Sequence, residues 1–152
     1  MPHIHEKIDF TVEVFIIHNS RVLLRKHDKY KKWLGVGGHI ELNEDPIQAA
    51  IREVKEEVGL DIEIIGRVSA PEFNTLNYQE LTPPMFLNRH RINETHEHIS
   101  LVYFAKSKTD ALKVSKDKEI SEECRWFSKE ELENSTEIQP PIKFYALEAL
   151  KN

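Results

Sequence analysis

Residues 45–60 constrain this chain more than any other stretch. Asp45 suits an N-cap, Pro46 the first helical position, and Gln48 the return partner of a capping box. Gly59 suits the left-handed residue that ends a helix, and Leu60 the apolar residue that follows in a Schellman motif. Between these ends Ile47, Ala50, Ile51, Val54 and Val58 recur at the spacing of an amphipathic helix, so one face must bury against something apolar. A sheet is the expected partner.

Strand signals surround that helix. Asp9 to His18 is rich in Phe, Val and Ile, and Arg21 to Lys26 follows the turn-like pair Asn19-Ser20, which reads as a β-hairpin. Gly35, Gly37 and Gly38 mark backbone that must bend or be approached closely. Asp61 to Ser69 alternates like a strand, Ile99 to Lys106 is a stronger one, and Cys124 to Phe127 a weaker one. Pro71 to Asn93 has no clean period and reads as a long loop, either functional or partly structured. Ser128-Lys129-Glu130-Glu131 opens a helix, and the residues from Ile142 to Leu150, after Pro140-Pro141, form a terminal one. With 152 residues, one domain spanning 1–152 is expected.

Composition narrows the partners. Twenty-one Lys and Arg against 26 Asp and Glu leave a net charge of −5, which argues against a nucleic-acid backbone as partner. Cys124 is the only cysteine, consistent with a reducing, cytoplasmic setting. The first residues carry no apolar leader and no run is long enough to span a membrane, so neither secretion nor membrane insertion is expected. His3 and His5 read as solvated residues of the N-terminal segment, with a stray metal site as the alternative.

The chemistry concentrates on the capped helix. Glu53, Glu56 and Glu57 are spaced i, i+3, i+4, which groups three carboxylates beside the apolar face. Such a group is tolerated on a solvated surface or where a divalent cation holds it together. Glu44 precedes the helix, Gly38 lies six residues earlier, and Arg52 stands one turn before Glu56, placed to pair with it. Hard oxygen donors suit Mg²⁺ or Mn²⁺ and not zinc, which points to metal-assisted chemistry on a phosphorylated substrate.

Gly38, five residues, Glu44, seven residues, and then Arg52-Glu53-Val54-Lys55-Glu56-Glu57-Val58-Gly59-Leu60 match every defined position of the Nudix box. The chain therefore resembles the Nudix (MutT-like) hydrolases. A chance match is expected on the order of once in 10⁹ start points at average residue frequencies. The flanks are similar too: Trp33, Gly37, Ala49-Ala50, and Glu123 to Phe127 followed by Glu130-Glu131-Leu132. Val36 departs from relatives that carry proline before the paired glycines, a small change in loop stiffness.

The resemblance implies an α/β fold, the Nudix α/β/α sandwich with a mixed sheet between helices, and a pyrophosphohydrolase. Its substrate would be a nucleoside diphosphate linked to another group: a nucleoside triphosphate, a nucleotide sugar or ADP-ribose, or a dinucleoside polyphosphate. It implies Mg²⁺ or Mn²⁺ held by Glu53, Glu56 and Glu57 with the Gly37 or Gly38 carbonyl, Arg52 orienting a carboxylate, and Glu44 in support. Glu53 is the expected base within the box, and Glu94 or Glu97 the alternative on a later loop. The other readings are a silent nucleotide-sensing or partner-binding domain and an RNA 5′-end pyrophosphohydrolase. Homodimers are common among relatives.

Outside the box, His39 is placed to meet phosphate or Glu41, or to stand solvated. Phe73, Tyr78 and Phe86 are candidates to stack on a nucleobase, with sheet cover expected for two of the three. His96 and His98, two apart in a strand-like run, should share a face; with His90 they read as a phosphate contact, a zinc pair or ordinary surface histidines. Lys26, His27, Lys29, Lys31 and Lys32 form a basic stretch that reads as a solvated loop or as a means of steering an anion.

Overall fold

In a computed structural model, residues 5–27, 31–114 and 121–152 are described. His3 and Lys29 lie outside them. The first strand, β1 (Ile8–His18), is buried along most of its length because it receives side chains on both faces. Asn19 and Ser20, at φ 47° and 59°, turn the chain through a two-residue hairpin into β2 (Arg21–His27). The short strands β3 (Lys32–Leu34) and β4 (Val36–His39) follow. Helix α1 (Pro46–Val58) leads to β5 (Ile62–Ile64), one turn of 3₁₀ helix at Pro71–Phe73, and the pair β6 (Phe86–Asn93) and β7 (His96–Ser107). Strand β8 (Ser121–Ser128), α2 (Lys129–Asn134) and α3 (Pro140–Ala149) complete the chain.

The eight strands form one mixed sheet. Its path runs β3-β2-β1-β7-β5, with β4 also on β1, β6 on β7 and β8 on β2. Only β1 and β7 pair in parallel among the described strands. Val12, Val14, Ile16, Leu23, Tyr103 and Ala105 face α1, whereas Phe15, Ile17, Val22, Leu24, Val102 and Phe104 face α2 and α3. Helices on both faces of a mixed sheet make the α/β/α sandwich.

Helix α1 forms where its caps place it. Asp45 accepts from the Gln48 amide and the Gln48 side chain accepts from the Asp45 amide, both at 2.9 Å, while Gly59 at φ 72° returns its amide to the Lys55 carbonyl. The buried face differs from the apolar stripe of the sequence. Ile51 is 45% exposed, and Glu53 and Glu57 are buried beside Ala49, Ala50, Val54 and Val58. The helix is therefore rotated so that two carboxylates enter the interior, which the bare backbone of β4 makes room for.

Two sequence readings change. The strand expected over Asp61 to Ser69 is only Ile62–Ile64, paired with Ala105 to Ser107 of β7. The loop expected through Asn93 ends at Met85, and Phe86–Asn93 is a strand paired with β7. Its polar residues conceal it: among the described strands β6 pairs only with β7, and much of it is exposed.

Candidate active site

The site forms where α1 crosses β4. The glycines of β4 do not bend the chain; among the described glycines only Gly59 and Gly66 have positive φ. They allow close approach instead. A Cβ on Gly37 would stand 1.9 Å from the Val12 carbonyl oxygen of β1, and one on Gly38 would stand 2.6 Å from Glu53 Oε1. The register sets the direction: Gly38 opposes Val12, which faces α1, and Gly37 opposes Glu13.

Arg52 ties the carboxylates together. Its Nη2 lies 2.6 Å from Glu44 and its Nε 2.9 Å from the other oxygen of that carboxylate, a bidentate fork. Its Nη1 reaches Glu53 Oε1 at 3.0 Å and Glu56 Oε2 at 3.3 Å, and Nη2 also donates to the His39 carbonyl at 3.1 Å. Hydrogen bonding from Arg52 holds the Glu44 carboxyl below its usual range, and the same bond raises the guanidinium above its own. Glu53 is fully buried, Glu57 is 8% exposed with Arg25 Nε at 3.3 Å, and the Glu56 side chain is 46% exposed.

With Glu41 at 3.8 Å from Arg52 Nη1, five carboxylates thus face two guanidiniums. That surplus of negative charge, presented as hard oxygen beside a strand where Gly38 leaves no side chain, fits Mg²⁺ or Mn²⁺.

The remaining candidates are spread more widely. The His39 ring is 7% exposed and its Nε2 lies 3.1 Å from Asp9 Oδ2, so Asp9 faces it in place of Glu41. Phe73 and Tyr78 are 60% and 54% exposed on the loop before β6 and are not sheet cover, whereas Phe86 is enclosed by Phe104, Phe144 and Tyr145. Glu94 is exposed in the β6–β7 turn. Glu97 accepts two hydrogen bonds of 2.8 Å from Arg89, which hold its carboxyl low, and it pairs with Ile8, four residues along β1 from the partner of Gly38. Lys26 packs over the Trp33 ring at 5.7 Å; Lys31 and Lys32 are exposed.

Asp9, Arg25 and Glu13 carried no signal of their own in the sequence. Glu13 accepts from the Gly35 amide at 3.1 Å, and burial pushes its carboxyl up to about 7 against the lowering effects of that bond and of Arg25. Burial, and then the nearby imidazoles of His39, His90 and His96, lower His98 to about 4.

A family profile described as the NUDIX domain matches residues 8–147. The chain belongs to the Nudix family. A hydrolase of that family from Clostridium perfringens is 36% identical and superposes with a TM-score of 0.85, over 94% of this chain and 96% of the other. The MutT Nudix hydrolase of Burkholderia pseudomallei, at 18% identity, gives a TM-score of 0.67 over 96% and 98% of the two chains. The MutT protein of Methanosarcina mazei Go1, at 16%, gives 0.69 over 97% and 96%. The last two show a shared fold. As a Nudix hydrolase, the chain is an enzyme acting on diphosphate bonds, and its corner of α1 and β4 carries the box.

Proposed function

We propose that this Nudix hydrolase, as one domain over residues 1–152, cleaves a nucleoside diphosphate linked to another group and releases a nucleoside monophosphate or other phosphorylated product. The reading rests chiefly on the Arg52 hub, which gathers Glu44, Glu53 and Glu56 against the bare strand at Gly38. Glu53, Glu56, Glu57 and the Gly37 carbonyl would hold Mg²⁺ or Mn²⁺. When bound, the cation supplies Lewis-acid neutralisation of the diphosphate oxygens. Arg52 keeps the carboxylates in one geometry, with Glu44 as its anchor. A box carboxylate takes the proton of the attacking water, and the 46% exposure of Glu56 against none for Glu53 favours Glu56.

Phe73 and Tyr78 are more than half exposed, which supports stacking on a nucleobase. Net charge −5 supports a small nucleotide over an RNA end, and the lone Cys124 supports a cytoplasmic setting. Among the described residues, no helix is long and apolar enough to cross a membrane.

Mass-spectrometric product analysis tests the substrate. Purified protein and Mg²⁺ are incubated with nucleoside triphosphates, an oxidised triphosphate, ADP-ribose, nucleotide sugars and dinucleoside polyphosphates. Cleavage of one class at an anhydride bond is expected. Turnover confined to triphosphate-ended RNA would overturn the small-nucleotide reading.

A further inference from the structure

On the face of the sheet opposite α1, the strand registers assemble a second group of metal-binding side chains. The parallel pairing of β1 with β7 sets Asp9 beside His98, and the antiparallel pairing of β1 with β4 sets His39 beside Thr11, on the same face as Asp9. One ligand atom from each of Asp9, His39 and His98 lies within 4.8 Å of the other two. His39 Nε2 is 3.1 Å from Asp9 Oδ2, and His96 Nε2 is 3.2 Å from that same oxygen. A tetrahedral zinc ion with bonds of about 2.0–2.1 Å spaces its donors about 3.3 Å apart, so the Asp9, His39 and His98 atoms lie within reach of one ion, with His96 adjoining them at the shared Asp9 oxygen.

The surroundings also match a metal centre. His96 Nδ1 lies 2.9 Å from the Glu6 carbonyl, which can only accept, so Nδ1 donates there and Nε2, 3.2 Å from Asp9 Oδ2, is the nitrogen left for a metal. The other Asp9 oxygen accepts from the His5 amide at 2.7 Å. A histidine whose second nitrogen is held by a carbonyl, and a carboxylate whose second oxygen is held by an amide, are the supports that orient metal ligands. Asp9 is 1% exposed and His96 4% exposed, so both are enclosed.

We propose that Asp9, His39 and His98, with His96 as fourth donor, form a site for a divalent transition metal of the zinc class, on the opposite face of the sheet from the box carboxylates. The donors are imidazole and carboxylate, which suit zinc, where the box offers carboxylate and carbonyl oxygen, which suit magnesium. Strand alternation keeps the centres apart: Gly38 faces α1 and the His39 side chain faces the other way. Four protein donors make a closed, structural centre that clamps the start of β1 to β7 and to the end of β4. This proposal does not depend on which nucleotide is cleaved.

The test is Zn²⁺ titration of the chelator-treated full chain in excess Mg²⁺, read by competition with a chromophoric chelator and by the absorption of Co²⁺ in its place. Wild type should bind one Zn²⁺ per chain and give the intense Co²⁺ bands of tetrahedral coordination. Glu56→Gln should bind as wild type. His98→Ala should weaken binding on the order of 100-fold or more, since even outer partners of a ligand cost about 10–100-fold. Circular dichroism checks its fold, and His39→Gln carries the same test should that variant fail to fold. Absence of stoichiometric Zn²⁺ binding, or binding that survives the histidine variants and disappears in Glu56→Gln, would overturn the proposal.

Discussion

Glu53 and Gly38 exclude any side chain from the space between them: a Cβ on Gly38 would come within 2.6 Å of Glu53 Oε1 and 2.7 Å of its carboxyl carbon. Glu53 is fully buried and bonded to Arg52, so it has little room to retreat. Gly38→Ala should therefore displace the carboxylate and lower turnover by at least about tenfold, since small misplacements at a reacting centre cost this much or more. Steady-state kinetics across a Mg²⁺ titration would check it, with the Mg²⁺ requirement moving to higher concentration.

Arg52 is the structural hinge of the corner. Arg52→Ala leaves Glu44 and Glu53 without their shared guanidinium and should destabilise the fold by about 2–3 kcal/mol, toward the lower end for breaking a buried ion pair because Arg52 is partly exposed. Chemical denaturation gives that number. Arg52→Lys should recover little of it, since an ammonium cannot reproduce the fork to Glu44.

Glu13 and Glu44 should tilt stability in opposite directions with pH. Glu13 keeps its proton in the fold up to about 7 and loses it near 4.5 when unfolded. Its contribution is complete below about 4.5 and lost as pH rises through about 7. Glu44 is lowered, so its contribution is present above its ordinary value and lost as pH falls below it. Thermal melts of Glu13→Gln should lose the decline between pH 4.5 and 7 that wild type shows. An unchanged slope would remove Glu13 as its source.

Helix α1 was legible because its signals are local. Asp45, Gln48 and Gly59 act within a turn of the backbone they cap. Strand β6 was hidden because its pairing with β7 is what makes it a strand, while its own composition, Phe-Leu-Asn-Arg-His-Arg-Ile-Asn, shows an edge facing water. The three box glutamates could be named from spacing. Which of them enter the interior depends on how α1 rotates against the glycines of β4, and helix periodicity alone does not fix that. Asp9 illustrates the same limit. Nothing near it in the chain hints at His39 or His98, and only the β1–β7 and β1–β4 registers bring them together. His96 and His98 sharing a face was readable from alternation; their convergence on Asp9 was not.

The exposed aromatics offer a separate check on substrate choice. If Phe73 and Tyr78 stack on a nucleobase, Phe73→Ala and Tyr78→Ala should each raise KM by roughly 5–150-fold, corresponding to about 1–3 kcal/mol per stacked base. Little change in kcat would accompany it, because stacking binds substrate and transition state alike.

The most direct test of the catalytic assignment is the rate of anhydride cleavage by Glu56→Gln beside wild type, both in saturating Mg²⁺ and on whichever nucleotide the wild type cleaves. Glu56 is half exposed, and its bond to Arg52 contributes little to stability, so the variant should fold and melt like wild type. A loss of at least about 100-fold in kcat, on the scale of a positioned acid–base group, is the expected result. Turnover within a factor of about two of wild type would contradict the assignment of this corner as the active site.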